Sequence, residues 1–317
     1  MSRQKIMSQC PVCKSNSLGF EVIPGSKVLD SIINLFDDLR LPRPKVLDYS
    51  LLKCSECELI FSNPMKAGSD EFYSWICNSH YYYPPERWEW GALIELIKEK
   101  NKVVLDVGCG SGIFLEKLTK HGISGVGIDS NLGSVLECRS KGLTAECLPI
   151  NLLGTLGNGS KFDVITLFHV LEHLEDPRES IASLWAHVKS GGLLAISIPL
   201  SPMFFEEDWW DPLNRPPHHL TRWNLKALNA LATFLGAKAE FVIEPCNGLI
   251  QRVASTMQLK HSMPHITGSA FNRKLRLIFR LIVRPISTVK TLLHQLQRDN
   301  SPQGVVGNSV LVLLKKL

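Results

Sequence analysis

Apolar and polar positions follow two rhythms along this chain, and the switches between them outline an α/β protein. The apolar run Val103-Val104-Leu105 leads into Asp106 and reads as a buried parallel strand. From Gly112 the rhythm turns helical, with Ile113, Phe114, Leu115 and Leu118 apolar and Glu116, Lys117 and Lys120 polar. Gly122 stops that helix, and a second strand, 123–128, ends at Asp129. The alternation continues with a helix over 132–140 stopped by Gly142, a third strand over 143–148, and a polar loop at 157–160. A fourth strand follows over 162–168. Asp176-Pro177 opens a helix carrying Ile181, Leu184, Trp185 and Val188, which Gly191-Gly192 is expected to end before a fifth strand, 193–198. Leu225, Leu228, Leu231, Ala232 and Leu235 mark another helix, for which Thr221 is a candidate cap. Strands over 238–244 and 309–314 complete a parallel sheet with an antiparallel edge. Upstream, 26–39 and 91–100 have helical spacing.

The turn between the first strand and its helix holds Gly108, Cys109, Gly110, Ser111 and Gly112, and the next strand ends in a carboxylate. Strand, glycine turn, helix start and acidic residue are the parts of a nucleoside cofactor site. A dinucleotide site wants G-x-G-x-x-G, so that pyrophosphate rests on the helix N-terminus. Here position 113 is Ile, the glycines run G-x-G-x-G, and Asp106 just ahead of them repels a pyrophosphate but suits a sulfonium or ammonium. The bland reading is a glycine-rich turn with no ligand.

Asp106 to Gly112 resembles the D-x-G-x-G-x-G motif of the class I S-adenosylmethionine-dependent methyltransferases. Three later segments resemble further motifs of that family in the right order: 162–165, 169–177 and 189–192. The resemblance implies a Rossmann-like seven-stranded sheet and S-adenosyl-L-methionine as methyl donor. It also implies that the turn at Asp106, Gly108, Cys109, Gly110 and Gly112 approaches the methionine part, while Asp129 accepts hydrogen bonds from both ribose hydroxyls. His169 would line the same pocket. Relatives often hold the adenine amino group with a carboxylate on the third strand, but 144–149 aligns ambiguously and that contact is unassigned.

Composition fits a globular enzyme: 317 residues, 44% hydrophobic and 21% charged. No apolar run reaches the roughly 18 residues that span a bilayer, and the N-terminus lacks a signal-peptide core. The nine cysteines are therefore expected as thiols or metal ligands in the cytoplasm. Cys10-x-x-Cys13 and Cys54-x-x-Cys57 are paired knuckles, each placing two thiolates on a tight turn, and together they complete a tetrahedral structural Zn²⁺ shell. The 40 residues between the pairs exceed a compact ribbon, so the helix at 26–39 fills an excursion. Cys77, Cys109, Cys138, Cys147 and Cys246 are expected as buried thiols.

These signals divide the chain into a zinc-ribbon-like domain (1–65), an aromatic linker and first helix (66–100), a donor-binding core (101–246), a basic insertion (247–305) and the last strand (306–317). The linker aromatics (Phe72, Tyr73, Trp75, Tyr81, Tyr82, Tyr83, Trp88, Trp90) serve either as a lid or as cement between ribbon and core.

Methyl transfer from a sulfonium needs alignment more than acid help, whereas a hydroxyl or carbon acceptor also needs a base. The candidates are His219 first, His173 second, and His218 beside them in the Pro-Pro-His-His loop. A further resemblance links His169, Glu172, His173 and a downstream histidine to the divalent-metal site of Hen-type RNA 2′-O-methyltransferases. Ubiquinone-pathway O-methyltransferases carry a similar Leu-Glu-His element. This chain has His169 where the Hen pattern has Glu.

Residues 271–298 hold seven Lys/Arg and no Asp/Glu; without those seven the formal +5 becomes −2. Their apolar residues recur at helical spacing, interrupted at Pro285. Such an element packs with cations outward, lies on an anionic membrane face, or grips a polyanion. Nucleic acid ranks last, since no second basic patch supports it. The expectation is a methyltransferase acting on a small-molecule acceptor, a saccharide or lipid-linked glycan. The alternatives are a metal-dependent RNA 2′-O-methyltransferase and a non-catalytic zinc-ribbon module on a methyltransferase scaffold.

Overall fold

In a computed structural model, residues 7–36, 39, 42–77, 79, 85–98, 101–156, 161–261, 282–299 and 307–317 are described. The loop at 157–160, Tyr81, Tyr82 and Tyr83, and positions 271–281 of the basic element lie outside them. The N-terminal part contributes β1 (Met7–Gln9), β2 (Asn16–Ile23), α1 (Gly25–Leu35), β3 (Tyr49–Cys54), β4 (Ile60–Asn63) and α2 (Asp70–Ile76). Next come α3 (Trp88–Ile97), β5 (Val103–Val107), α4 (Ile113–Lys120), β6 (Ser124–Asp129), α5 (Leu132–Ser140), β7 (Ala145–Cys147) and β8 (Phe162–Phe168). The chain then forms α6 (Pro177–Ala186), β9 (Val188–Pro199), β10 (Thr221–Arg222), α7 (Leu225–Phe234) and β11 (Ala239–Ile243). Last are α8 (Leu249–Lys260), α9 (Pro285–Asp299) and β12 (Ser309–Lys315).

Seven strands make one sheet in the order β11-β12-β9-β8-β5-β6-β7. β5 to β9 run parallel, and β12 and β11 close the edge antiparallel. Strand order reverses beside β5: the chain steps to β6 and β7 on one side and returns to β8 on the other. A crevice therefore opens at the carboxyl ends of β5 and β8, where an α/β sheet receives its ligand. Trp90, Leu93 and Ile94 of α3 pack one face with Phe114 of α4 and Val135 of α5. The other face carries Ile181 and Leu184 of α6 and Leu228 and Leu231 of α7. This is the Rossmann-like seven-stranded sheet that the resemblance implies.

A second sheet has the order β1-β2-β3-β4-β10. Its last strand comes from far along the chain, with Thr221 opposite Phe61 and Arg222 opposite Ile60. Cys10, Val12 and Phe61 accordingly share one apolar cluster with Leu105, Ile165 and Ile196 of the large sheet. Phe72 and Trp75 belong to the N-terminal core with Ile32 and Leu51, whereas Trp90 belongs to the α/β core. These three aromatics therefore cement their own layers.

Four local expectations need correction. The helix opened by Asp176 ends at Ala186, and Gly191-Gly192 lies inside β9. Val188 already pairs with Phe162, and the register shift between Phe162 and Val164 absorbs the glycines. Thr221 caps nothing: it is a β10 residue, and Asn224 accepts from Ala227 N at 2.8 Å to start α7. Cys147 and Cys246 are exposed, and Cys77 is half-buried. The excursion helix stops at Leu35, leaving Phe36 and Leu39 packed on the N-terminal core from non-helical backbone.

Candidate functional site

The glycine turn folds as it does because three of its residues take backbone conformations that side chains resist. Gly108, Gly110 and Gly112 have φ of 73°, 52° and 82°. At Gly108 a Cβ would also fall 2.5 Å from Val170 Cγ2, so the turn lies directly against the segment after β8. Gly108 N and Cys109 N both donate to Ile128 O, tying the turn to the end of β6.

That tie brings Asp129 into place. Its Oδ2 accepts from Gly110 N at 2.9 Å and its Oδ1 from Asn131 N at 2.8 Å. The carboxylate is thus fixed at the crevice, with lone pairs left to accept from a vicinal diol. Asp106 is buried behind it, with Thr166 Oγ1 donating to its Oδ1 at 2.7 Å. Burial pushes the Asp106 carboxyl up to about 7, helped by the charge of Asp129 and opposed by the Thr166 hydrogen bond. A cationic ligand beside it would favour the ionised form. Cys109 is buried next to the same pair, and burial holds its thiol well above the ordinary range.

On the other side of the crevice lies an unexpected ionic core. His169 has φ of 56°, a left-handed conformation that needs support from its surroundings. Its N–H donates to Ser197 O at 2.8 Å, Nε2 lies 2.8 Å from Glu89 Oε1, and Nδ1 lies 3.4 Å from Glu172 Oε1. Burial opposes charging this ring, but the neighbouring Glu172 and Glu89 carboxylates outweigh it and raise its pKa. His169 is therefore clamped between two buried carboxylates that favour its charged form. Glu89 was not legible as a site residue: it sits between Trp88 and Trp90 on α3, 80 positions from its partner.

Glu172 occupies a short 3-10 turn, Leu171–His173, and its backbone O accepts from Leu220 N at 2.8 Å. Neither carboxylate oxygen makes a well-aligned hydrogen bond among the described residues. The Oε1 faces His169 Nδ1 and, at 3.9 Å, His219 Nε2. Burial works to raise its pKa, but His169 and His173 lower it overall.

The structure brings His173, His218 and His219 together, each offering one ligand atom within 4.8 Å of the others. Ring centroids are 4.7 Å apart for His173 and His218, 4.8 Å for His173 and His219, and 4.5 Å for the stacked His218–His219 pair. Each Nδ1 faces an acceptor: His218 O at 2.6 Å for His173, Leu213 O at 2.8 Å for His218, and Asn214 Oδ1 at 3.1 Å for His219. That fixes the tautomer with the lone pair on Nε2. Burial lowers all three pKa values, His218 to about 3, so the rings are neutral near pH 7. Tyr73 of α2 stacks edge-on against His173 and reaches Pro217 O, so the N-terminal part walls this side of the crevice.

The four knuckle cysteines also converge. Sγ separations are 3.6 Å for Cys10–Cys57, 3.4 Å for Cys13–Cys54 and 3.6 Å for Cys13–Cys57. A tetrahedral zinc with bonds of about 2.3 Å requires sulfurs about 3.8 Å apart, so the set fits such an ion. The residue after each knuckle, Lys14 and Glu58, has φ of 64° and 61°, giving the two turns the same shape. The hydrogen bond from Cys57 lowers the Cys10 thiol, while the same contact and burial raise that of Cys57.

Residues 86–239 match a family model described as a methyltransferase domain. The chain is 38% identical over 104 residues to a ubiquinone biosynthesis O-methyltransferase of Coxiella burnetii, covering 31% of this chain and 44% of that protein. It is 33% identical over 115 residues to the mitochondrial ubiquinone biosynthesis O-methyltransferase of Schizosaccharomyces pombe, covering 33% of this chain and 42% of that one. The chain thus spans under half the length of these curated relatives. Among solved structures, a SAM dependent methyltransferase from Archaeoglobus fulgidus superposes on 72% of this chain and 93% of its own, with a TM-score of 0.48 and 18% identity.

Proposed function

We propose that this chain, whose residues 86–239 match a methyltransferase-domain family model, is a class I methyltransferase that transfers the methyl group of S-adenosylmethionine to a small-molecule acceptor hydroxyl. Gly108, Cys109, Gly110 and Gly112 would cradle the methionine part, Asp106 would face its cationic groups, and Asp129 would hold the ribose. Bound there, the donor supplies a methyl on a sulfonium whose thioether leaves without charge. The acceptor oxygen forms the new C–O bond as the C–S bond breaks, and its proton passes to an imidazole. His219 is best placed for this: Asn214 orients it through Nδ1, its Nε2 carries the lone pair, and Glu172 lies 3.9 Å away to stabilise the imidazolium. His173 is the alternative base, and His218 shapes the cluster. The clamped His169 would line the donor pocket from the β8 side. Zn²⁺ on Cys10, Cys13, Cys54 and Cys57 would be structural, holding the sheet to which β10 and the histidine loop attach.

The observation that supports this reading is the close approach of Gly108 to Val170, which sets the glycine turn against the segment carrying His169 and His173. A saccharide or lipid-linked glycan hydroxyl is the acceptor class we favour, in a cytoplasmic protein. The test is binding of labelled S-adenosylmethionine, then transfer to a panel of sugar and lipid-linked acceptors. Binding weakened about a hundredfold by Asp129→Ala is expected; no binding to pure wild-type protein would overturn the proposal.

A second reading uses the same cluster as a divalent-metal site, favoured by the convergence of His173, His218 and His219 beside Glu172. In that case the acceptor would present two neighbouring oxygens, as an RNA 3′-terminal ribose does. Metal analysis decides: more than one metal per chain, falling by one in His219→Ala, supports it, and transfer unaffected by chelation and add-back removes it.

A further inference from the structure

Helix α9 is turned inside out. In a globular protein a helix buries its apolar stripe and shows its polar face to water. Here the fully buried residues are Thr291 and Gln295. Gln295 Nε2 donates to Phe204 O at 2.6 Å, and its Oε1 accepts from Arg252 of α8 at 3.1 Å. Thr291 Oγ1 and His294 Nδ1 both reach Asp208 Oδ1, at 3.3 and 3.2 Å. Arg298 donates to Met203 O and Pro202 O. The helix is thus anchored through its polar side.

Its apolar side faces out. Ile286 is 86% exposed, Val289 and Leu293 are each 54% exposed, and Leu296 is 37% exposed. These positions recur every three or four residues and form one stripe, extended upstream by exposed Ile282 and Val283. Arg284 and Lys290 are exposed beside it. The acids of this region turn the other way, Asp208 inward beneath α9 and Asp299 paired with Arg252. The outer face therefore combines branched aliphatic side chains with unopposed positive charge, as does 271–298 at large, with its seven cations and no acid.

We infer that the outer face of α9 docks the protein on an anionic phospholipid surface, lying in the plane of the headgroups. Aliphatic groups entering the acyl boundary and cations meeting lipid phosphates are the two attractions such binding requires. At about 1.5 Å per residue the 15-residue helix is too short to span a bilayer, and no described helix is long and apolar enough to cross one. The anchor points of α9 at residues 202–208 begin the loop that ends at His218 and His219. A docked α9 would therefore bring the acceptor side of the crevice toward the membrane, where a lipid-linked acceptor resides. That last consequence rests on the proposed function; the docking itself does not.

The test is sedimentation of the full chain with phosphatidylglycerol/phosphatidylcholine vesicles against pure phosphatidylcholine, without donor or acceptor. We expect preferential binding to the anionic vesicles, weakened by high salt. Ile286→Ser with Leu293→Ser, and separately Arg284→Glu with Lys290→Glu, should each lower partitioning at least about tenfold with melting temperature unchanged. No binding to anionic vesicles, or binding indifferent to both pairs, would overturn the inference. So would a fall in melting temperature for the serine pair, which would show the stripe is covered within the fold. A dimer in light scattering that the serine pair dissolves would assign the face to a second copy instead.

Discussion

Residues 103–131 and residues 169–222 meet at the same edge of the seven-stranded sheet, and they reach it by opposite routes. The proposed donor half is continuous in sequence: strand, glycine turn, helix and carboxylate follow within 30 residues, and its key bonds run between near neighbours such as Gly110 and Asp129. The proposed acceptor half is assembled from α2, α3, the segment after β8 and a long loop, with partners separated by as many as 144 positions. The two also differ electrostatically. Two carboxyl groups, Asp129 and the buried Asp106, mark the first, whereas three neutral imidazoles beside one buried carboxyl group, Glu172, mark the second. A local motif can hold a common donor in many proteins; an assembled pocket allows the acceptor to differ without disturbing it.

The sharpest way to break this division is His219→Ala. Loss of a positioned base is expected to lower kcat by about 10²–10⁴-fold, with donor affinity unchanged by calorimetry. A parallel loss of donor affinity would merge the two halves. Next in size is Cys57→Ser, or removal of the zinc by chelation. The small sheet holds β10 and hence the histidine loop, so transfer should fall at least about a hundredfold through misplacement of the acceptor groups. Donor binding should persist if the α/β core stands without the metal, as equilibrium dialysis would report.

Much of the donor half was legible in the sequence because its geometry is written in neighbouring residues. Glycines at 108, 110 and 112 announce a positive-φ turn, and apolar runs on either side announce parallel strands. The acceptor half was legible only as residue types. His173, His218 and His219 could be named, but their convergence depends on β10 pairing with β4, and Thr221 looked instead like a helix cap. Glu89 carried no signal at all, since a carboxylate between two tryptophans on a helix is ordinarily solvated. The inside-out orientation of α9 was equally hidden: periodicity identifies an apolar stripe but not which face the fold turns inward.

Gly108→Ala probes the seam between the halves. The new Cβ meets Val170 and a φ of 73°, so a loss of about 1–3 kcal/mol in denaturant unfolding is expected, with both donor affinity and kcat impaired. The smallest effect concerns pH. Asp106 titrates near 7 when folded and near 3.9 when unfolded, so the folded state binds the proton more tightly between those values. Stability is then greatest at low pH and declines as pH rises toward 7. Between pH 5 and 7 the wild type should lose roughly 2 kcal/mol more than Asp106→Asn, measured by urea titration at each pH.

In the proposed mechanism one turn binds the donor while a separate cluster serves the acceptor. Calorimetric titration of S-adenosylmethionine into wild type, Asp129→Ala and His219→Ala tests it most directly. The account predicts binding to wild type, an affinity about a hundredfold weaker for Asp129→Ala through loss of charge-assisted hydrogen bonds, and wild-type affinity for His219→Ala. Absent binding in the wild type, or equal losses in both variants, would contradict it.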